Sequence, residues 1–345
     1  MTDAADTATP QNLRLIGMAA AGHGFNGIVG AGEAVAISTG APLPEGADTI
    51  LIKENTETGD GIVIAREPAI AGRHIRRAGF DFKQGDVLLE AGHLLNGRAI
   101  ALAGAMNHAA LPVRRRPRIA IIATGDELVA PGATPGPDQI VASSGVGLAA
   151  FARASGAEPH DFGIVRDDSG AIEAAIDRAV GLPADILITL GGASVGDHDL
   201  VQSALTARGM ELGFWRIAMR PGKPLIFGAF EKTRVLGLPG NPVSSMVCAL
   251  LFLRPLISAM LGRAPSDPTE AAILGGDLGE NDQRQDYLRA SLVPDGDGLP
   301  RATAFARQDS SNLSILAAAD CLIVRPPHAP AAKAGNSCRI IRFDF

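Results

Sequence analysis

Asp185-Ile186-Leu187-Ile188-Thr189-Leu190 runs straight into Gly191-Gly192-Ala193-Ser194-Val195-Gly196-Asp197-His198-Asp199. A short apolar, β-branched run that stops at glycines reads as a strand buried on both faces. The small residues after it form a strand-to-helix loop, because Leu200, Ala204 and Leu205 follow at helical spacing and Gly209 closes the pattern. The same rhythm lies upstream. Ile119–Ala123 is a strand ending in Thr124-Gly125-Asp126-Glu127-Leu128. Ser143 or Ser144 caps a helix that carries Val146, Ala149 and Phe151 and stops at Gly156. A strand near Asp161–Val165 leads through Arg166-Asp167-Asp168-Ser169 into a helix with Ile172 and Ile176, halted by Gly181. Strand–helix alternation across 117–262 predicts a doubly wound parallel sheet with helices on both faces. Ligands of such sheets bind beyond the carboxyl ends of the strands. Thr124–Glu127, Arg166–Asp168 and Gly191–Asp199 all fall at such ends, so three polar loops should share one rim.

Two tight turns follow. Met219-Arg220-Pro221-Gly222-Lys223-Pro224 presents two cations on a proline-stiffened loop, which is what preorganised anion binding requires. A solvated pair is the bland alternative. After a short hairpin, Gly237-Leu238-Pro239-Gly240-Asn241-Pro242-Val243-Ser244-Ser245 opens onto the apolar run Val243–Leu261. A helix start there would offer unpaired N–H groups and the positive end of its dipole to an anion. The run is apolar enough to raise a membrane span, but Arg254-Pro255 interrupts it, and it reads as a buried helix.

The flanks change texture. Residues 13–72 read as a small β domain with strands at Leu13–Ile16, Glu33–Ser38, Thr49–Lys53 and Gly61–Ala65. Within it Gly22-His23-Gly24-Phe25-Asn26-Gly27 matches the dinucleotide-loop spacing. Ile28-Val29-Gly30-Ala31-Gly32 cannot supply the helix such a loop needs, so the match is a decoy. Arg73–Asp86 is basic and turn-like, Asn96–Met106 a helix, Leu111–Val113 a short strand, and Arg114-Arg115-Arg116 a solvated linker. Beyond residue 264 the helical rhythm is lost, and Tyr287–Leu292, Cys321–Arg325 and Cys338–Phe345 read as strands of a terminal β domain.

Composition excludes several classes. The chain has 345 residues, which favours more than one domain. Its net charge of −6 leaves no basic footprint for duplex nucleic acid, and 4% aromatic content leaves few platforms for single strands. Cys248, Cys321 and Cys338 lie far apart, with neither a disulfide framework nor zinc spacing. No apolar stretch opens the chain, and a cytoplasmic protein is expected.

Asp126, Glu127, Asp167, Asp168, Asp197 and Asp199 give the rim enough carboxylates to hold Mg²⁺ together with substrate phosphates. Helix capping is the competing account for Asp168 and Asp199. The glycines of 191–196 let backbone N–H groups approach a phosphate, or merely allow a tight connection. No Lys-Ser/Thr follows them, so this is not a Walker loop, and no Gly-x-Ser-x-Gly surrounds Ser143, Ser194 or Ser244.

Taken in order, Ser38-Thr39-Gly40-Ala41-Pro42, Gly46-Ala47-Asp48, Ile75-Arg76-Arg77-Ala78-Gly79-Phe80-Asp81, Thr124–Leu128, Gly191–Gly196, Pro221-Gly222-Lys223-Pro224 and Leu238–Ser244 resemble the MoeA family. These are the molybdopterin molybdenumtransferases, which include the gephyrin E domain. The resemblance implies insertion of molybdate into adenylylated molybdopterin with Mg²⁺ and release of AMP. It also implies a homodimer, and a MogA-like adenylyltransferase as a possible partner. The implied fold is a MogA-like doubly wound domain at 116–263, flanked by a small β domain at 13–72 and a C-terminal β domain at 264–345. A split N-terminal domain would be left at 1–12 and 73–115. By motif, Asp126 and Glu127 would hold metal, with Asp126, Asp168 and Lys223 in catalytic roles. Thr124, Gly125, Gly191, Gly192, Ser194 and Gly196 would hold the pterin phosphate. Arg220, Pro221, Gly222, Asn241 and Ser244 would border the molybdate, with Arg284 or Arg289 and Ser310 approaching from the terminal domain.

Three departures from the family pattern stand out. Arg220 stands where Lys is common, exchanging a point charge for a planar fork. Phe80 occupies a position often held by Glu. The chain begins at or just after the family's Ala-Met-Asp-Gly-Tyr-Ala stretch, which implies a gene start placed too late or a shortened paralogue. The alternative function is then a catalytically impaired molybdopterin-binding or scaffold protein.

Overall fold

The computed structural model describes residues 11–191, 200–296 and 298–344. The chain divides into two compact units, Met1–Leu88 and Leu89–Phe345. In the first, strands β1 (Gln11–Ala19), β2 (Glu33–Ile37), β3 (Thr56–Gly59) and β4 (Ile62–Ala65) form a sheet in the order β2-β1-β4-β3. Thr49–Lys53 is not the expected strand. Its apolar residues are irregular and end in the 3₁₀ turn Lys53–Asn55, and the edge position is taken by β3, whose polar TETG sequence hides it from a hydrophobic pattern. No helix follows Gly22–Gly27, whose start instead forms a bridge between Ala20 and His23.

The second unit opens with α1 (Gly97–Ala105), capped by Asn96, whose side chain accepts from Ala99 N at 3.0 Å. Leu111–Val113 is irregular rather than a strand. Arg115 is not simply solvated: both terminal nitrogens donate to Asp185 at 2.6 Å, which holds that carboxyl below its usual range.

The chain then runs through β5 (Arg118–Thr124), β6 (Leu128–Val129), β7 (Ile140–Val141), α2 (Ser144–Ala154), β8 (Glu158–Val165), α3 (Ser169–Gly181), β9 (Ile186–Leu190) and α4 (Leu200–Ala207). Next come β10 (Glu211–Trp215), β11 (Met219–Arg220), β12 (Ile226–Phe230), β13 (Thr233–Leu238), α5 (Pro242–Cys248) and α6 (Arg254–Met260). The central six-stranded sheet has the order β10-β12-β13-β9-β5-β8. Strands β13, β9, β5 and β8 are parallel, as expected. The β12–β13 hairpin and β10 are antiparallel, so the sheet is mixed at one edge.

Alternation along the strands feeds two cores. Ile119, Ile121 and Ala123 pack with Leu148 and Phe151 of α2 and with Val243, Val247, Leu250 and Leu253. Ala120 and Ile122 face α3 and α4 through Ile172, Ile176, Val201 and Leu205. Pro242–Met260 is one helical run, with a π-helical stretch at Ala249–Leu253 ahead of Pro255. It is long and apolar enough to cross a membrane (mean hydropathy 1.8), but its buried face is the spine of the first core.

The remaining strands are β14 (Thr269–Leu274), β15 (Gln285–Val293), β16 (Arg301–Ala304), β17 (Cys321–Arg325) and β18 (Ser337–Arg342), with the short α7 (Leu313–Ala318) between β16 and β17. They close in a ring β15-β16-β14-β18-β17 around Ala272, Leu274, Ala290, Ala302, Ile323 and Ile340. Closure leaves no free sheet edge in the ring. Strand β11 pairs in parallel with β15, pinning the Arg220 loop onto this barrel.

Candidate functional site

The strand ends meet as expected. Thr124, buried at the end of β5, donates its hydroxyl to Leu190 O at 3.4 Å, and Gly125 N donates to Val165 O at 3.2 Å. Gly191 sits at φ +86, where a Cβ would lie 2.6 Å from the Thr124 carbonyl, so only glycine lets the β9 loop cross the β5 loop this closely. Gly240 lies against Gly191 in turn. The loops after β5, β9 and β13 are thus stacked on one another, with the loop after β8 beside them. Gly192, Ser194 and Gly196 lie outside the described residues, as does Asp199.

Asp126 and Glu127 project from the β5 loop, and Asp126 accepts from Asp167 N at 3.4 Å. Partial desolvation pushes the Asp167 pKa up, and the neighbouring Glu127 and Asp126 charges add to it. Among the described residues no group of three or more His, Cys, Asp or Glu side chains is arranged to hold a metal. Asp168 caps α3, its Oδ1 accepting from Ala171 N at 2.9 Å. Ser143 precedes α2 but makes no side-chain cap. We expect Asp168→Ala to lower stability by about 1 kcal/mol and Asp168→Asn, which keeps an acceptor, to leave thermal unfolding unchanged.

The expected anion seat at the start of the long helix is largely self-satisfied. Pro242 has no N–H, Val243 N donates to Ser310 O at 3.1 Å, and Ser245 N donates to Asn241 O at 2.9 Å. The Asn241 side-chain amide donates to Ser310 Oγ at 3.0 Å, and Ser244 is buried. Ser310 thus joins the barrel to the helix start. Arg289 holds that connection from within: it is 1% exposed, and its Nη2 donates to Asp309 O at 3.1 Å. Burial lowers its pKa, with Asp309 opposing. Gln308 brackets the Arg289 backbone, accepting from its N–H and donating to its carbonyl, each at 2.9 Å.

An open cavity of about 310 Å³ lies beside the other loop, lined by Arg216, Ile217, Ala218, Lys223, Asp282, Gln283 and Arg284. Arg220 lies at its border and pairs with Asp286 and, at 3.5 Å, with Asp282. Arg284 grips Asp282 through Nη2 at 2.6 Å and Nε at 3.3 Å. These contacts, the Arg284 hydrogen bonds foremost, hold the Asp282 pKa down at about 2, so this carboxylate stays charged at any working pH. The Arg220–Pro221 peptide is cis, and Gly222, at φ +108, rests against Cys248 of α5. Of the expected residues, the cavity therefore collects Lys223 and Arg284, with Arg220 and Pro221-Gly222 beside it. Asn241 and Ser310 meet at the helix start. Arg216, Asp282, Asp286 and Gln308 had no signal in the sequence, since each owes its place to a contact between distant segments.

Comparison with known proteins agrees with this architecture region by region. The family model described as the MoeA N-terminal region (domain I and II) matches residues 2–106. A "probable molybdopterin binding domain" matches 120–259, and the MoeA C-terminal region (domain IV) matches 271–343. A molybdopterin molybdenumtransferase of Nostoc sp. is 36% identical over 92% of this chain and 74% of its own length. The chain belongs to the MoeA family. The enzyme of that name from Haemophilus influenzae is 32% identical over 96% of this chain and 82% of its own. A crystal structure of a MoeA protein from Pyrococcus horikoshii superposes with a TM-score of 0.82 at 30% identity, covering 99% of this chain and 83% of that one. On the MoeA regions, the strand-end rim and Lys223 fall in the matched 120–259 stretch. Arg284, Arg289 and Ser310 fall in domain IV.

Proposed function

We infer that the chain acts in molybdenum cofactor biosynthesis as a molybdopterin molybdenumtransferase. It inserts molybdate into adenylylated molybdopterin and releases AMP. The observation that carries this reading is the match of all three MoeA regions, with relatives of that name covered over 74% and 82% of their own length, on a fold whose cation-lined cavity suits an oxyanion. In this reading the rim of Thr124, Gly125 and Gly191, continued through Gly192, Ser194 and Gly196, receives the pterin phosphate; the N–H groups of Gly125 and Gly191 are bonded to Val165 O and Leu238 O, so these two glycines contribute close approach rather than donors. Lys223 receives molybdate in the cavity that Arg284, paired with Asp282, also lines. Arg289, Asn241 and Ser310 fix the junction of the barrel with the helix start, and Arg220, Pro221, Gly222 and Ser244 set the loop and helix positions.

Mg²⁺ suits Asp126 and Glu127. Partial burial first, and the neighbouring Glu127 and Asp126 charges after it, raise the Asp167 pKa, and a divalent cation would relieve the repulsive part. One or two carboxylates completed by substrate phosphate oxygens match the way Mg²⁺ is ordinarily held. When bound, the ion would neutralise the phosphates as AMP departs. A cytoplasmic homodimer supplied by a MogA-like adenylyltransferase completes the reading, with the domains divided at 1–12 with 73–115, 13–72, 116–263 and 264–345.

The test is direct. Purified chain given adenylylated molybdopterin, molybdate and Mg²⁺ should release AMP and yield cofactor that activates an apo-molybdoenzyme, and chelation should abolish both. Absence of AMP release under these conditions rejects the reading.

A further inference from the structure

We propose that Arg216 is a second anion contact in the Lys223 cavity, so that Arg216 and Lys223 together form a two-cation seat for a tetrahedral dianion. The inference rests on the reading of that cavity as the molybdate seat and assigns it a residue that no motif marked. Four cationic side chains lie in or at the border of the cavity, but two are already neutralised. Arg284 is committed to Asp282, and Arg220 to Asp286 with Asp282 as a second partner. Among the described residues neither Arg216 nor Lys223 has a carboxylate partner. Both side chains are exposed and both line the cavity. Two unpaired like charges facing one space repel each other, and a dianion placed between them relieves that repulsion.

The backbone is arranged to bring the two cations together. Arg216 N donates to Leu225 O at 3.1 Å and Ile217 N donates to Lys223 O at 3.0 Å, so the segments on either side of the loop run back past one another. Arg216 occupies the left-handed region at φ +75, which side chains other than glycine, asparagine and aspartate seldom adopt. Its guanidinium lies over the Trp215 ring, 4.1 Å from the centroid, which restricts the side chain before any ligand arrives. A strained backbone and a stacked, uncompensated cation at a cavity wall mark a preorganised binding group rather than a solvated arginine.

Trp215 is the single tryptophan of the chain, so indole emission comes from the ring over which Arg216 lies. Sodium molybdate titrated into the full chain should evolve heat and change Trp215 emission. Arg216→Gln, which removes the charge with little change in polarity, should weaken molybdate binding roughly tenfold or more. Arg216→Lys should recover part of the loss, because charge returns without the planar fork. Turnover at saturating molybdate should fall far less than the apparent affinity. Molybdate binding by Arg216→Gln at wild-type strength, with unchanged thermal unfolding, overturns the proposal. If the Gln variant does not fold, Arg216→Lys carries the test, and equal affinity with no change in the Trp215 response overturns it. Wild-type chain that neither binds nor inserts molybdate overturns the reading of the cavity itself.

Discussion

Replacing Lys223 by alanine is expected to raise the molybdate concentration needed for half-maximal insertion by roughly 10- to 100-fold, the range for losing a hydrogen bond to a charged group. Binding of the pterin substrate should be nearly unchanged. The asymmetry follows from where the charge sits. Lys223 lines the cavity beside the barrel, while the glycines assigned to the pterin phosphate lie at the ends of β5 and β9. The exposed ammonium makes no ion pair among the described residues, so its removal strands no buried partner and should leave thermal unfolding within about 0.5 kcal/mol of wild type. Calorimetry with molybdate and, separately, with the pterin decides the matter. Equal loss of both ligands would mean that the loop is not molybdate-specific.

The neighbouring arginine does a different job. Arg220 is tied to Asp286, a carboxylate only 4% exposed, at the point where β11 joins β15. Its guanidinium spans Asp286 and Asp282, a two-acceptor geometry that a lysine ammonium reproduces poorly. The Arg220 departure from the common lysine is therefore tolerable if this position anchors the loop and Lys223 meets the ligand. From sequence the two cations looked equivalent, because both flank the same Pro-Gly turn.

What could be read from the chain, and what could not, divides along that line. The β9 strand and its glycine exit, the Asp168 cap and the helix after Asn96 are local features, and local chemistry announces them. Strands with a mixed or polar pattern escaped: β3 is TETG, and the edge strand β10 shows only a broken alternation. The parallel sheet expected from strand–helix alternation is present in β13, β9, β5 and β8, and the β12–β13 hairpin extends it with an antiparallel edge, since a turn between two short runs shows their pairing but not that they join the main sheet. The anion seat shows the same limit. A glycine–asparagine–proline turn before an apolar run does mark a helix start, yet Ser310, distant in sequence, takes the Val243 N–H. The open anion-binding space lies instead where Arg216, Lys223 and Arg284 converge, and only tertiary pairing brings segments 216–225 and 282–286 together.

Gly222→Ala should be the most damaging single methyl in the loop. At φ +108 an alanine is strained by about 1–3 kcal/mol, and its Cβ would lie 2.5 Å from Cys248 Sγ and 3.3 Å from the Met219 methyl. Cys248 cannot step aside: it is fully buried in α5, and desolvation pushes its thiol pKa up to about 12, so it behaves as a small apolar wedge. Overpacking of this kind costs a further ~1–3 kcal/mol. The clash is relieved by moving either the helix, which anchors the largest core, or the loop, which carries Lys223. The loop is the weaker partner, since β11 contributes only Met219 and Arg220 to the barrel. The variant should therefore unfold several degrees lower and lose molybdate affinity at the same time. Removing the wedge separates the two causes. Gly222→Ala combined with Cys248→Ala should recover the packing share and leave the backbone share, giving clear non-additivity between the two sites. Strict additivity of the two substitutions in thermal unfolding would show that Gly222 is required for its backbone conformation alone.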